Sequence, residues 1–223
     1  MLESAGKVIC IELDTRMIQI LNDRFSIYNN FELINNDVLK VDLKKLIKEN
    51  KKDEIKNVKI VANLPYYITT PIIMKLLEER LEIESITVMV QKEVADRLVA
   101  KPGEKNSGAI TCAISYFAEA EKILEVPNTS FMPAPEVNSS IIKLNILKEP
   151  SVKVKNEEML FKVIKLAFAQ KRKTLLNALT NGKLASKDQI EKMLMDLNLD
   201  LRIRGEKLSL QDFANIADYM QNI

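Results

Sequence analysis

Asn63-Leu64-Pro65-Tyr66 is the tetrapeptide whose residue types could do chemistry together. An adenine-type amino group is planar and weakly nucleophilic, because its lone pair is delocalised into the ring. The Asn63 carboxamide oxygen and the Leu64 backbone carbonyl could accept its two hydrogens. The nitrogen could then approach tetrahedral geometry, with its lone pair aimed at a methyl donor. Pro65 would fix the turn that brings both oxygens to one point. Tyr66 would stack on the base or line its pocket. Attack on a sulfonium methyl gives a cationic amine that loses its proton readily, so no strong general base is needed. That suits a chain with no histidine. Taken alone, the four residues could equally be a chance tetrapeptide in a strand-to-helix turn.

The elements that must position these groups alternate between strand and helix. Val8 to Leu13 is a continuous apolar run of strand length, and Phe31 to Ile34 a second. Between them Met17, Ile18, Leu21 and Phe25 recur at the spacing of one buried helical face. A lysine-rich helix near residues 42–50 precedes a third strand, Val58 to Ala62. Thr70-Pro71 then has the form of an N-cap followed by proline at the first helical position. Ser85 to Val90 is a fourth strand and Lys92 to Val99 another helix. Such alternation of apolar strands with helices predicts a parallel α/β sheet. After a 101–108 surface loop come a helix at Ala109 to Phe117 and strands at about 119–126 and 139–147. The loop between these strands holds Pro127, Pro133 and Pro135. Beyond Glu149-Pro150-Ser151 everything reads as helix, with capping signals at Ser186-x-x-Gln189 and Ser209-x-x-Asp212.

Composition removes several classes. The absence of histidine excludes Ser-His-Asp and Cys-His catalysis and histidine metal sites, so no metal is expected. Cys10 and Cys112 form no C-x-x-C and read as small buried hydrophobes in a reducing, cytoplasmic compartment. No pair among the 5 glycines has G-x-G-x-x-G or Walker A spacing. The most apolar stretch, Val58 to Leu77, is interrupted by Asn63, Pro65, Pro71 and Lys75 and does not read as a membrane span. Charge is uneven: residues 151–223 carry 13 Lys/Arg against 9 Asp/Glu, whereas residues 1–150 carry 20 against 22. A basic tail on a mildly acidic body suggests a polyanionic partner.

Ligands of open parallel sheets sit beyond the strands' carboxyl ends. There lie Glu12-Leu13-Asp14, Asn36-Asp37 and the Asn63 turn. A strand-end acid can accept from ribose hydroxyls, and an Asp after the next strand from an adenine amino group. Alone, each could also be a solvated acid.

The longer run Asn63-Leu64-Pro65-Tyr66-Tyr67-Ile68-Thr69-Thr70-Pro71-Ile72 strongly resembles the ribosomal RNA adenine dimethyltransferases. Phe131-Met132-Pro133-Ala134-Pro135-Glu136-Val137-Asn138-Ser139 fits that family's F-x-P-x-P-x-V-x-S loop. Val8 to Asp14, Asn36-Asp37 and Arg204-Gly205-Glu206-Lys207-Leu208-Ser209-Leu210 also fall in place, the last with Gly and Lys substituted. The N-L-P-Y-Y-I-T-T-P form points to the small-subunit RNA branch. The resemblance implies a Rossmann-like class I methyltransferase sheet, residues 1–148, and an all-helical RNA-contacting domain, residues 149–223. It implies S-adenosyl-L-methionine as cofactor, with Glu12 at its ribose, Asp37 at its adenine and Asn63 also among the cofactor-binding residues. Asn63 and Leu64 would hold the target amino group, and Tyr66 and Phe131 would sandwich the flipped adenine. The implied reaction is transfer of methyl groups to N6 of two adjacent adenosines in a small-subunit ribosomal RNA hairpin during ribosome biogenesis, with small-subunit ribosomal RNA or the immature small ribosomal subunit as partner.

Lys162, Lys165, Lys171, Arg172 and Lys173 are interleaved with Phe161, Leu166, Phe168 and Leu175. They read as a phosphate-contacting surface or as the solvated face of an amphipathic helix. The family's initial strand and its E-x-G-x-G loop precede the point at which the match begins. A sheet without that strand leaves the Val8–Leu13 and Val58–Ala62 strands with unfilled edges. The expectation is an open or intermolecularly filled slot and weak S-adenosylmethionine binding. The competing function is a non-catalytic ribosomal RNA-binding assembly factor, or an inactive fragment, that has lost the cofactor site.

Overall fold

A computed structural model describes residues 1–51 and 57–222. The chain divides into two compact units, Met1–Val58 with Pro71–Ile83, and Lys59–Thr70 with Glu84–Ile223.

The first unit contains β1 (Val8–Glu12), α1 (Thr15–Phe25), β2 (Phe31–Asn35) and α2 (Leu43–Asn50). β1 and β2 pair in parallel from Val8↔Phe31 to Glu12↔Asn35, with α1 as the crossover. Asp14 caps α1 by accepting from the Arg16 amide, and Asp42 caps α2 by accepting from Lys45 at 2.9 Å. The periodic face of α1 forms, yet no residue of α1 is buried: Ile18, Leu21 and Phe25 are half-covered and Met17 is exposed. Every residue of β1 is likewise only half-buried. The reason is arithmetic: a two-stranded sheet offers a helix only a narrow apolar strip.

The second unit holds β3 (Lys59–Asn63), β4 (Ser85–Gln91), α4 (Lys92–Leu98), α5 (Ala109–Phe117), β5 (Ala118–Val126) and β6 (Ser139–Ile146). Its sheet has the order β3-β4-β6-β5. β3 and β4 are parallel, and β6 runs antiparallel to both β4 and β5. The carboxyl ends of β3, β4 and β5 therefore share one end of the sheet with the start of β6. Ile86, Val88, Val90, Ile142 and Leu144 are essentially inaccessible. Burying each contributes about 1.5–3 kcal/mol relative to leaving it in water. Among the described residues β1 pairs only with β2 and β3 only with β4. Val61 on β3 is 56% exposed.

α3 (Thr69–Glu78) corrects the expected start at Thr70-Pro71. A 3-10 turn at Tyr66–Ile68 runs directly into the helix, so Thr70 is helical rather than a cap. The anchoring hydroxyl is that of Thr69, which donates to the Pro65 carbonyl at 3.1 Å. Ile72, Ile73, Leu76 and Leu77 are buried.

α6 (Glu157–Ala169), α7 (Leu175–Asn181), α8 (Lys187–Asp196) and α9 (Leu210–Met220) complete the second unit. Ser186 and Ser209 open α8 and α9 with full capping boxes. The compositional break at 149–151 is not a break in packing. The Ser151 amide donates to Tyr116, and the Phe161 ring stacks on Phe117 with centroids 5.6 Å apart. Gly205 passes close beneath α6, where an added Cβ would come within 2.9 Å of the Ala167 methyl. Cys112 is buried, whereas Cys10, expected to be buried, is only half-covered, because it lies on the thinly packed β1.

Candidate active site

Asn63 is the last residue of β3, and Leu64 continues the ladder by donating its amide to the Met89 carbonyl at 3.4 Å. Pro65 then turns the chain, with φ −59° and ψ 132°. Its carbonyl accepts from the Ile68 amide at 3.1 Å and from the Thr69 hydroxyl. The 3-10 turn is thus anchored on Pro65, and the preceding carbonyl, that of Leu64, is left without a donor among the described residues. The exposed Asn63 carboxamide is equally uncommitted, while the Leu64 side chain is buried and holds the turn down. These two acceptors, adjacent in sequence at a strand end, are what a planar amino group needs in order to pyramidalise.

The Phe131–Ser139 segment lies at the same end of the sheet. A 3-10 turn at Asn128–Ser130 leads into it, and the Phe131 amide donates to the Asn128 carbonyl at 3.2 Å. Asn138 accepts from the Asn128 amide through its side chain, and its carbonyl accepts from the Lys92 amide. Asn128 also donates to the Pro135 carbonyl at 3.1 Å. The Met132–Pro133 peptide is cis. Phe131 is half-buried and Tyr66 is 36% exposed, so both rings keep a usable surface. The Tyr66 hydroxyl lies 2.8 Å from the Ser139 hydroxyl, joining the two motifs directly.

Glu12 and Asp37 lie in the first unit, at the carboxyl ends of β1 and β2. The two strand ends are tied together, since the Asn36 amide and the Asn35 carboxamide both donate to the Glu12 carbonyl. One Glu12 carboxylate oxygen accepts from the Leu13 and Asp14 amides, each at 2.8 Å. One Asp37 oxygen accepts from Leu39 at 2.9 Å. The second oxygen of each acid is uncommitted among the described residues. Two oriented acceptors at neighbouring strand ends fit the hydroxyl and amino donors of a nucleoside. Next to Glu12, the guanidinium and amide of Arg16 hold the Asp14 carboxyl down at about 2.

The five cations expected to meet phosphate divide between two settings. Lys162 and Lys165 stand exposed on α6, one turn apart. Lys171, Arg172 and Lys173 are not on a helix: α6 ends at Ala169, and the three occupy the exposed turn before α7. None of the five has a carboxylate partner among the described residues. The described residues contain no cluster of metal-ligating side chains and no helix long and apolar enough to cross a membrane.

Sequence reasoning gave Ser139 no role, although it closes the F-x-P-x-P-x-V-x-S match. It is fully buried and holds Tyr66 by its hydroxyl. A hydroxyl residue at a strand start is too common for type alone to reveal such a contact.

A Rossmann-like methyltransferase fold with an uncommitted Asn-Leu acceptor pair at a strand end is the class these features define. The chain matches the family Ribosomal RNA adenine dimethylase over residues 1–222, and it belongs to that family. It is 48% identical to Ribosomal RNA small subunit methyltransferase A of Geobacillus sp. (strain WCH70), covering 98% of this chain and 76% of that protein. Identity to the protein of the same name from Alkaliphilus oremlandii (strain OhILAs) is 46%, covering 97% and 75%. Among solved structures, a dimethyladenosine transferase from Plasmodium falciparum superimposes with a TM-score of 0.77 at 28% identity, covering 96% of this chain and 82% of that one. The 23S rRNA methyltransferase ErmE gives a TM-score of 0.66 at 21% identity, covering 99% and 84%, a likeness of fold.

Proposed function

We propose that this chain transfers methyl groups from S-adenosyl-L-methionine to N6 of two adjacent adenosines in small-subunit ribosomal RNA. The reading rests above all on Asn63 and Leu64, two uncommitted acceptors joined through the Tyr66–Ser139 bond to the loop carrying Phe131. Family membership makes the chemistry that of an adenine N6,N6-dimethyltransferase.

Each residue has a separable task. Tyr66 and Phe131 present their rings to an adenine withdrawn from its stack. The Asn63 carboxamide oxygen and the Leu64 carbonyl accept the two amino hydrogens, which localises the lone pair on nitrogen. Their acceptance strengthens as positive charge develops on that nitrogen, so their effect falls on the transition state. Glu12 and Asp37 would hold the ribose and adenine of the cofactor, which when bound supplies an electrophilic sulfonium methyl. Residues 149–223, with Lys162, Lys165, Lys171, Arg172 and Lys173, would contact RNA phosphates and position the substrate without reading its bases. A second methylation needs no new group, because the monomethylated nitrogen still carries one hydrogen for one of the two acceptors.

The test is transfer of labelled methyl from S-adenosylmethionine to unmethylated small-subunit RNA, with the digest analysed for N6,N6-dimethyladenosine. Glu12→Ala and Asp37→Ala should each reduce cofactor binding in equilibrium dialysis. An RNA that binds without gaining methyl groups would favour the assembly-factor reading instead.

A further inference from the structure

Two large apolar side chains stand in solvent at the site end of the second unit. Tyr67 is 83% exposed and Met132 is 100% exposed. Each directly follows one of the two residues that face the adenine, Tyr67 after Tyr66 and Met132 after Phe131. The Tyr67 ring pairs with no other ring, and its hydroxyl makes no hydrogen bond, among the described residues. One exposed apolar side chain needs no explanation. Two of them, one after each base-facing residue on loops tied together by Tyr66 and Ser139, are unexplained by packing.

We infer that Tyr67 and Met132 form an outer platform that stacks on unpaired RNA nucleotides flanking the target adenosine. The inference rests on the RNA methyltransferase reading and extends it to the neighbours of the reacting base. An adenine that reaches Asn63 has left its stack, and each neighbouring base then loses a stacking face to water. A tyrosine ring can replace that face whatever the base, because every base has a π surface. A thioether adapts to an irregular neighbour. The same unit carries Lys171, Arg172 and Lys173, exposed and without carboxylate partners among the described residues, which suits the anionic backbone of such a strand. The platform would favour loops and unpaired ends over continuous duplex.

The experiment uses the 223-residue chain and a small-subunit ribosomal RNA hairpin with 2-aminopurine at the nucleotide flanking the adenosine pair. The parent chain should quench the probe on binding. Tyr67→Phe should retain affinity and quenching. Tyr67→Ala should bind about 10-fold more weakly, lose quenching and keep the parental salt dependence, because no phosphate contact is removed. Met132→Ala should give a smaller loss. Thermal melts should be unchanged, since both side chains are exposed. Parental affinity and quenching in Tyr67→Ala would overturn the inference while leaving the methyltransferase reading intact. Equal losses in Tyr67→Phe and Tyr67→Ala would assign the effect to the hydroxyl and also overturn it. A parent chain that does not bind the hairpin would overturn the underlying reading and this inference with it.

Discussion

The Tyr66 hydroxyl meets the Ser139 hydroxyl at 2.8 Å, across 73 positions of sequence. Ser139 is fully buried at the start of β6, whereas Tyr66 is 36% exposed. The contact fixes a surface ring by means of a buried anchor.

Breaking that contact from either side should have nearly the same effect as breaking it from both. Tyr66→Phe leaves the buried Ser139 hydroxyl without its tyrosine partner and should cost about 1 kcal/mol. Ser139→Ala should cost a similar amount, and the double variant should be no worse than the poorer single one. Urea unfolding of the four proteins measures this. Additive losses would show that the bond carries no coupling.

Asn63→Ala should lower methyl transfer by about 10²-fold, in the range seen when one charge-stabilising group is removed from an active site. RNA affinity should stay near parental, because in the proposed mechanism the carboxamide acts on a nitrogen changing shape. Single-turnover transfer and filter binding on the same RNA separate the two effects. Equal losses in both would make Asn63 a docking residue.

Replacing Lys171, Arg172 and Lys173 with alanine should weaken RNA binding and flatten its salt dependence. Each lost phosphate contact should reduce the log–log slope by about 0.7–0.9. The turn is exposed, so the melting curve should not move. An unchanged slope would identify the turn as merely solvated.

Asp14 should contribute to acid sensitivity. Its carboxyl is held at about 2, below the ordinary 3.8, chiefly by the Arg16 side chain and amide. A depressed carboxylate stabilises the fold above its unfolded value, and that contribution disappears as pH falls through the folded one. Asp14→Asn keeps a capping acceptor but cannot titrate. The stability difference between parent and variant should therefore be constant above about pH 5 and shrink between about pH 4 and pH 2. Urea midpoints across that range give the answer.

Burial pushes the Cys112 thiol up to about 12, so it stays protonated and shielded at neutral pH. Iodoacetamide at about pH 8 should label Cys112 only after denaturation, since the thiolate is the reactive form. Cys10, half-covered on β1, should label first under native conditions. Mass spectrometry of the digested chain would show the order.

The sequence by itself determined whatever depends on neighbours within a few positions. Pro65 fixes its own φ and so narrows the turns open to the chain after Asn63-Leu64. Ser186 and Ser209 cap α8 and α9 because the complementary side chain lies three residues on. The alternation of apolar runs with amphipathic segments sufficed for strands and helices, and the two motifs sufficed for the family. Tertiary structure decided what depends on how many partners an element has. The spacing in α1 specifies an apolar face, but the two-stranded sheet beside it leaves that face half-covered. Likewise β6 runs antiparallel between β4 and β5, and only that placement brings Ser139 to Tyr66. Periodicity shows which side of an element seeks cover. It carries no information on what supplies that cover, because the partner comes from a distant part of the chain, through contacts that form only together.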